Sequence, residues 1–175
     1  MGKKILVNAG HSVNGTDWGA CGNGLREAEI NKKIAIKLCE LLMNDNHSVT
    51  YFQQTKSVND VWQFENKCSY DLTISVHCNS FNSTSHGHEV LYYPTPIQGQ
   101  KLAQAIQTEL VKQVGLRDRG IKARKDLCVI TRTKSIAVIV ETAFISNPNE
   151  AKLLKEKPEL FAKAIAEGVK NYLKN

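Results

Sequence analysis

The sequence contains no apolar stretch that approaches the roughly 20 residues needed to span a membrane. It also contains no internal repeat, no low-complexity tract and no linker rich in Pro, Gly or Ser. At its start, three aliphatic residues follow two lysines, which is too short for the apolar core of a signal peptide. We therefore expect a single soluble domain over residues 1–175, made in the cytoplasm without a signal peptide.

Cysteine patterns that mark a scaffold or a metal site are missing as well. The five cysteines, at positions 21, 39, 68, 78 and 128, are odd in number and have no CxxC spacing, so neither a disulfide framework nor a zinc ribbon is indicated. We expect most of them to be small buried thiols. Cys78 could act as a nucleophile only with a separate histidine and an orienting Asn or Asp, because its neighbour His77 points to the opposite face of a strand. We therefore expect a buried thiol there.

The chain has an excess of positive charge, with 23 Lys and Arg against 17 Asp and Glu, a net charge of +6. This charge favours an anionic partner, such as nucleic acid, a membrane surface or an acidic polymer of the cell wall. The sign of the charge does not choose among them. The basic residues are scattered except in "RDRGIKARK" at 117–125, a run that is equally typical of a solvated loop or helix end and of an anion-binding surface.

Segments with strand-like and helical spacing alternate along the chain. Strands are predicted at 4–10, 48–53, 71–77, 88–93, 127–131 and 135–143, and helices at 27–43, 57–68 and 97–114, from Asn147 and from Pro158 onwards. This alternation predicts an α/β fold, a three-layer sandwich in which a twisted, mostly parallel sheet carries helices on both faces. In such sheets ligands bind beyond the carboxyl ends of the strands.

Four side chains with catalytic chemistry are predicted to lie at that edge. His11 follows the first strand, His77 ends the third, Glu141 lies near the end of a long apolar strand, and Glu27 opens the first long helix. Two imidazoles and two carboxylates suit a catalytic zinc site, which uses three protein ligands and leaves a position open to water. From spacing alone, the four residues can equally be unrelated polar residues at strand ends.

Six segments, in one order, carry a resemblance to a known family over nearly the whole chain. They are "NAGH" (8–11), "GLREAEINKKIAIKL" (24–38), "DLTISVHCNS" (71–80), "GHEVLYY" (87–93), "RDRGIK" (117–122) and "IAVIVETAFISNPNEAKLL" (136–154). The sequence resembles the zinc-dependent N-acetylmuramoyl-L-alanine amidases, the catalytic domains of bacterial autolysins and phage endolysins. It departs from them at 8–12, where Asn-Ala-Gly-His-Ser replaces Asp-Pro-Gly-His-Gly.

The resemblance implies a role for each of these residues. One zinc ion per chain is expected on His11, on Glu27 (rather than Glu29) and on His77, and Glu141 is expected to be the catalytic base. Three further residues are expected at the substrate, although a turn cap or a salt bridge would also explain them: Asn79, Glu89 and Arg119. His86 and His88 are expected to be surface residues rather than extra ligands.

The implied reaction is hydrolysis of the amide between the lactyl group of N-acetylmuramic acid and L-alanine. Peptidoglycan is the expected partner, without nucleic acid, and the chain is expected to be a monomer that acts on the bacterial cell wall. It would reach the wall as an endolysin released at lysis or as a domain of a longer secreted autolysin. Two alternatives remain open: a zinc peptidase that cleaves stem peptides or cross-links, and a non-catalytic zinc domain that binds the wall.

Overall fold

The computed structural model describes residues 2–15 and 17–174. Its strands are β1 Lys4–Ala9, β2 Cys21–Gly22, β3 Leu25–Arg26, β4 Ser48–Gln53, β5 Leu72–Asn79, β6 His88–Tyr92, β7 Asp118–Ala123 and β8 Ile136–Phe144. Its helices are α1 Glu27–Asn44, α2 Asn59–Glu65, α3 Ile97–Val114, α4 Cys128–Thr131, α5 Pro148–Glu156 and α6 Pro158–Lys174. Within these residues, no helix combines the length and the apolar character that crossing a membrane requires.

Six of the strands form one sheet, in the order β4-β1-β5-β8-β6-β7, and β2 pairs with β3 in a small antiparallel hairpin. The pairs in the large sheet are parallel except for β6 with β8, which is antiparallel. The predicted fold class, a mostly parallel sheet between helical layers, is therefore confirmed. The apolar run that forms β8 is central, as its continuous hydrophobicity predicts.

The two faces of the sheet are covered unequally. On one face, Val138 and Val140 of β8 lie in the main core, which the long helices α1, α3 and α6 close. On the other face, Ile139 packs in a smaller core with Val61 of α2 and Val129 of α4. Alternation along β8 places Glu141 on this second, thinly covered face, two residues beyond Ile139.

Two segments differ from their predictions. Residues 127–131 are predicted as a strand but contain the short helix α4, because a run of four apolar residues has no period that separates strand from helix. The basic run at 117–125 contains the edge strand β7 rather than a loop or helix end. Its exposed cationic side chains suit an edge, where charge discourages pairing with another chain.

The cysteines differ from expectation too, since Cys39 and Cys78 are buried, Cys21 and Cys68 are exposed, and Cys128 is intermediate. The prediction that most are buried is therefore wrong. A small side chain is tolerated at exposed positions, in the short strand β2 for Cys21 and after α2 for Cys68, and composition alone does not reveal such positions.

Hydrogen bonds at the start of α5 also link two strands of the sheet, β8 and β6. Asn147 caps the helix, because its Oδ1 accepts the backbone N–H groups of Asn149 at 3.0 Å and Glu150 at 3.3 Å. Glu150 does not complete a capping box. Its buried carboxylate instead accepts the backbone N–H groups of Phe144 at 2.7 Å and Gly87 at 2.6 Å, which ties the end of β8 to the chain entering β6.

Candidate active site

Three acidic or imidazole side chains form a row across the centre of the sheet. His77 on β5 is the register partner of Glu141 on β8, and Glu141 is in turn the register partner of Glu89 on β6. Register partners point to the same face of a sheet. Because β6 runs opposite to β8, its first residues lie at the edge where β5 and β8 end. The strand pairing therefore brings these three residues to one edge.

His11, Glu27 and His77 form a compact cluster beside this row. Ligand atoms from the three side chains all lie within 4.8 Å of one another. Glu27 lies between the imidazoles, with Oε2 3.3 Å from His11 Nε2 and Oε1 3.1 Å from His77 Nδ1. Two imidazole nitrogens and a carboxylate oxygen are a donor set that catalytic zinc uses, so these residues could hold the ion.

Two glycines let the backbone pass close to this cluster. A Cβ atom on Gly10 would lie 2.2 Å from Cε1 of His77. Gly19 has φ +69°, and a Cβ there would lie 2.5 Å from both Glu27 Oε2 and His11 Cδ2. Real Cβ atoms do not approach other atoms so closely, so side chains at these positions would displace the imidazoles and the carboxylate. His11 itself has φ +62°.

The carboxylate of Glu27 is held by neutral donors as well as by the imidazoles. It accepts the backbone N–H groups of Ala20 at 2.8 Å and Cys78 at 3.0 Å, and the side-chain amide of Asn31 at 3.3 Å. Burial alone would raise its pKa, but His77, His11 and the amide of Ala20 outweigh burial and lower the pKa to about 2. The carboxylate form therefore prevails. Glu29 is exposed and lies 3.7 Å from Arg26, outside the cluster.

Asp17 contacts the imidazole of His11 on the side away from Glu27, and the sequence did not predict this contact. Its Oδ1 lies 2.8 Å from His11 Nδ1, and its Oδ2 accepts the amide of Gln54 at 2.9 Å. If Nδ1 donates its proton to Asp17, Nε2 is the ring nitrogen left to bind a metal ion, on the side of Glu27. Metal-binding histidines commonly have such a partner. An aspartate six residues after a histidine in a loop gives no distinctive sequence signal.

Glu141 has an unusual environment for a carboxyl group. Its Oε2 is buried and has no hydrogen-bonding partner among the residues that the structure describes. Burial raises the pKa of Glu141 to about 7, with the negative charges of Glu27 and Glu89 adding to the effect and His77 opposing it. A carboxyl group that titrates near neutral pH can take and return a proton under physiological conditions.

The three expected substrate contacts lie together and meet at one residue. Glu89 accepts the side-chain amide of Asn79 at 2.9 Å and the Nε–H of Arg119 at 3.0 Å. The guanidinium carbon of Arg119 also lies 4.9 Å from the ring centre of Phe144, within the range of a cation–π contact. Through these interactions, Asn79 and Arg119 hold the Glu89 carboxylate beside Glu141. The contacts with Glu89 also give both Asn79 and Arg119 a structural role.

The remaining candidates lie away from the cluster or are inert. His86 is exposed, as expected, but His88 is fully buried, so its prediction as a surface residue is wrong. Alternation explains this, because His88 points from β6 to the opposite face from Glu89. Cys78 is buried as predicted, and burial raises the pKa of its thiol well above the usual value. A protonated, buried thiol is a poor nucleophile.

Comparison with known proteins gives consistent matches. A family model described as N-acetylmuramoyl-L-alanine amidase matches residues 5–171. The chain is 33% identical to N-acetylmuramoyl-L-alanine amidase LytC of Bacillus subtilis (strain 168), over 98% of this chain and 36% of that protein. It is 32% identical to the endolysin of Bacillus phage SPP1, over 96% of this chain and 64% of that protein. The chain thus spans less than two thirds of the length of either relative.

The fold has close matches among solved structures. The crystal structure of N-acetylmuramoyl-L-alanine amidase from Clostridium difficile 630 superposes with a TM-score of 0.88 at 26% sequence identity. The match covers 99% of this chain and 98% of that one, so the similarity extends over the sheet and both helical layers.

Proposed function

The chain belongs to the N-acetylmuramoyl-L-alanine amidase family, and from this premise we propose that it hydrolyses the amide between the lactyl group of N-acetylmuramic acid and L-alanine in peptidoglycan. One observation carries the proposal. The strand register sets Glu141 directly beside His77, a member of the His11, Glu27 and His77 cluster. A proton acceptor next to a set of metal donors is the arrangement that metal-assisted amide hydrolysis requires.

Zinc is the proposed cofactor, one ion per chain, with His11, Glu27 and His77 as its ligands. The family is in general zinc-dependent. The donor set also fits: a carboxylate whose pKa is lowered to about 2 is ionised, and Asp17 leaves the Nε2 lone pair of His11 free. Zinc, when bound, supplies Lewis-acid chemistry that polarises a carbonyl and acidifies water.

Glu141 is the proposed general base and acid. Its carboxyl group lies beside His77, and its Oε2 has no hydrogen-bonding partner among the described residues, so no neighbouring group holds this oxygen in a competing contact. The same carboxyl group then returns this proton to the leaving nitrogen of the amide, which frees the amine of L-alanine. Burial raises the pKa of Glu141 and bound zinc would lower it again, so these opposing effects keep the carboxyl group able both to accept and to return the proton.

Asn79, Glu89 and Arg119 are the proposed substrate contacts. They lie beside Glu141 on the same edge of the sheet. Their mutual hydrogen bonds hold the three side chains in position, so that binding substrate would not require them to rearrange. The net charge of +6 supports attraction to an anionic wall, which salt should weaken. The chain is proposed to act at the bacterial cell wall as a monomer.

Glu141→Gln provides the test, with Glu29→Gln as a matched control at an exposed glutamate of α1. Both variants should retain near-stoichiometric zinc, and only Glu141→Gln should lose amide hydrolysis. Full activity in Glu141→Gln would refute the proposed base, and undiminished zinc in His77→Ala would refute the proposed ligand. The groups freed from peptidoglycan separate the alternatives: an amidase releases the amine of L-alanine, whereas a peptidase releases amines from within stem peptides or cross-links.

A further inference from the structure

A cavity of about 280 Å³ opens directly beside His77 and Glu141, on the thinly covered face of the sheet. Its walls are apolar and come from three places in the chain: Val58 before α2, Ile139 on β8, and the segment Leu127, Cys128 and Val129 at α4. His11, Glu27 and Asp17 do not line it. The cavity therefore extends from His77 and Glu141 away from the other two proposed metal ligands, His11 and Glu27.

The cavity has few side chains that are available to pair with a charged group of a ligand. Asp126 stands at its wall, but both oxygens of this carboxylate are engaged by Arg124, at 2.8 Å from Nε and 2.6 Å from Nη2. The remaining walls away from His77 and Glu141 carry aliphatic and thiol side chains. Uncharged, partly apolar atoms are therefore the favoured contents, since burying an unpaired charge among such walls is costly.

We propose that this cavity binds the peptide side of the scissile amide, with the methyl group of L-alanine against α4 and the adjoining peptide backbone behind it. The inference rests on the proposed function, which determines which side of the scissile amide faces Glu141. Glu141 returns a proton to the leaving nitrogen, so that nitrogen and the atoms attached to it lie on the side of Glu141. The carbonyl and the lactyl group lie towards His11 and Glu27.

The size of the cavity agrees with this assignment. A volume of about 280 Å³ corresponds to roughly nine water volumes of about 30 Å³ each, far more than one methyl group fills. L-alanine together with part of the next residue would occupy it. The wall at α4 is held in place because Thr131 Oγ1 donates to the carbonyl of Leu127 at 3.0 Å and Thr133 Oγ1 donates to that of Val129 at 2.8 Å.

Protection of the Cys128 thiol tests the proposal without relying on catalysis. In a Cys21→Ser, Cys68→Ser protein, which lacks the two exposed thiols, we would measure the rate of alkylation of Cys128 by iodoacetamide. The dipeptide amide L-Ala-Gly-NH₂ at saturating concentration should slow this reaction at least threefold. N-acetylmuramic acid should not slow it. Protection by N-acetylmuramic acid alone, or by neither compound, would overturn the proposal.

A variant that fills the cavity gives an independent measurement. Cys128→Phe should raise the KM for a muramyl-L-alanyl peptide about tenfold with a smaller change in kcat, whereas Cys68→Phe, at an exposed cysteine outside the cavity, should leave both unchanged. An unchanged KM in a folded Cys128→Phe protein would overturn the proposal. If the unaltered chain does not hydrolyse the amide at all, the proposed function fails instead, so the two failures are distinguishable.

Discussion

His77 and Glu141 are register partners on two neighbouring parallel strands. Their relative position is therefore set by the hydrogen-bonded ladder between β5 and β8, in the middle of the sheet, rather than by a loop. Both strands are backed by buried residues, among them Val76 and Val140. The proposed base and the proposed metal ligand keep their geometry on this frame without help from the substrate, which would favour reaction because little reorganisation is needed.

The first prediction concerns the ionisation of Glu141. In the zinc-free protein its carboxyl group should titrate with a pKa of about 7, because burial disfavours the charged form. Adding zinc should lower this pKa, since a nearby cation favours the carboxylate. Carbon-13 NMR of labelled glutamate measures both values, and the signal is assigned by its absence in Glu141→Gln. A zinc-free pKa near the usual value of 4.5 would contradict the prediction.

The contact between Asp17 and His11 should strengthen metal binding. Asp17→Asn removes the charge that holds the proton on Nδ1 of His11, and we expect zinc affinity to fall about 10- to 100-fold. Competition with a chromophoric chelator measures the affinity directly. Asp45→Asn, at the exposed end of α1, is the matched control and should bind zinc as the unaltered chain does. Equal affinities in the two variants would show that Asp17 does not support the site.

The close approach of Gly19 to the cluster predicts a specific loss. In Gly19→Ala the new methyl group would meet Glu27 Oε2 and His11 Cδ2 at 2.5 Å, so zinc content should fall while the fold persists. Gly24→Ala separates this clash from backbone strain, because Gly24 has a similar φ of +75° and no atom of the described residues lies within 4 Å of its Cβ position. The two variants should lose comparable stability, but only Gly19→Ala should lose zinc. Metal analysis and circular dichroism check both expectations.

His88 should make stability depend on pH. It is fully buried, and burial lowers its pKa to about 4, below the ordinary value of 6.5. Between these values the unfolded chain binds a proton at His88 that the folded chain does not, so the free energy of unfolding falls as the pH falls. The contribution is complete above pH 6.5 and is reduced by up to about 3 kcal/mol at pH 4.

His88→Leu isolates this effect. Among the described residues, the ring nitrogens of His88 make no hydrogen bond of good geometry, and their one polar contact is with the backbone of Thr142, so an apolar side chain of similar size removes the titrating group at little further cost. Relative to the unaltered chain, the variant should gain stability as the pH is lowered from 6.5 to 4. Urea unfolding at several pH values measures the difference. A difference that does not change with pH would assign the acid sensitivity to other groups.

The long elements could be predicted because many residues repeat the same signal. Apolar spacing predicted helices at 27–43 and 97–114, and the structure has Glu27–Asn44 and Ile97–Val114. The short segment 127–131, with four apolar residues, lacks that redundancy, and packing of Val129 and Ile130 over β8 decides its conformation. The edge strand β7 has few buried side chains, so it leaves no apolar alternation to detect.

The candidate site likewise has features that could be predicted from the sequence and features that could not. The tendency of parallel strands to end at one edge was enough to predict that His11, His77, Glu27 and Glu141 converge, and the family resemblance suggested their roles. Asp17 could not be predicted, because its contact with His11 depends on the path of a loop without a periodic pattern. The burial of His88 beside the exposed edge also followed from strand register, which a single sequence does not reveal.

The reversed direction of β6 has a consequence for the chain between β5 and β6. Residues 80–87 leave the sheet at Asn79 and return to it just before Glu89, at one and the same edge, and they include Phe81, whose exposed fraction is 81%. Unlike a helical crossover, such a segment does not have to traverse the length of the sheet. We therefore expect insertions in the exposed part of this segment to leave both strands in register, so that the surface next to the proposed reaction centre can be varied while the strands that carry it stay in place.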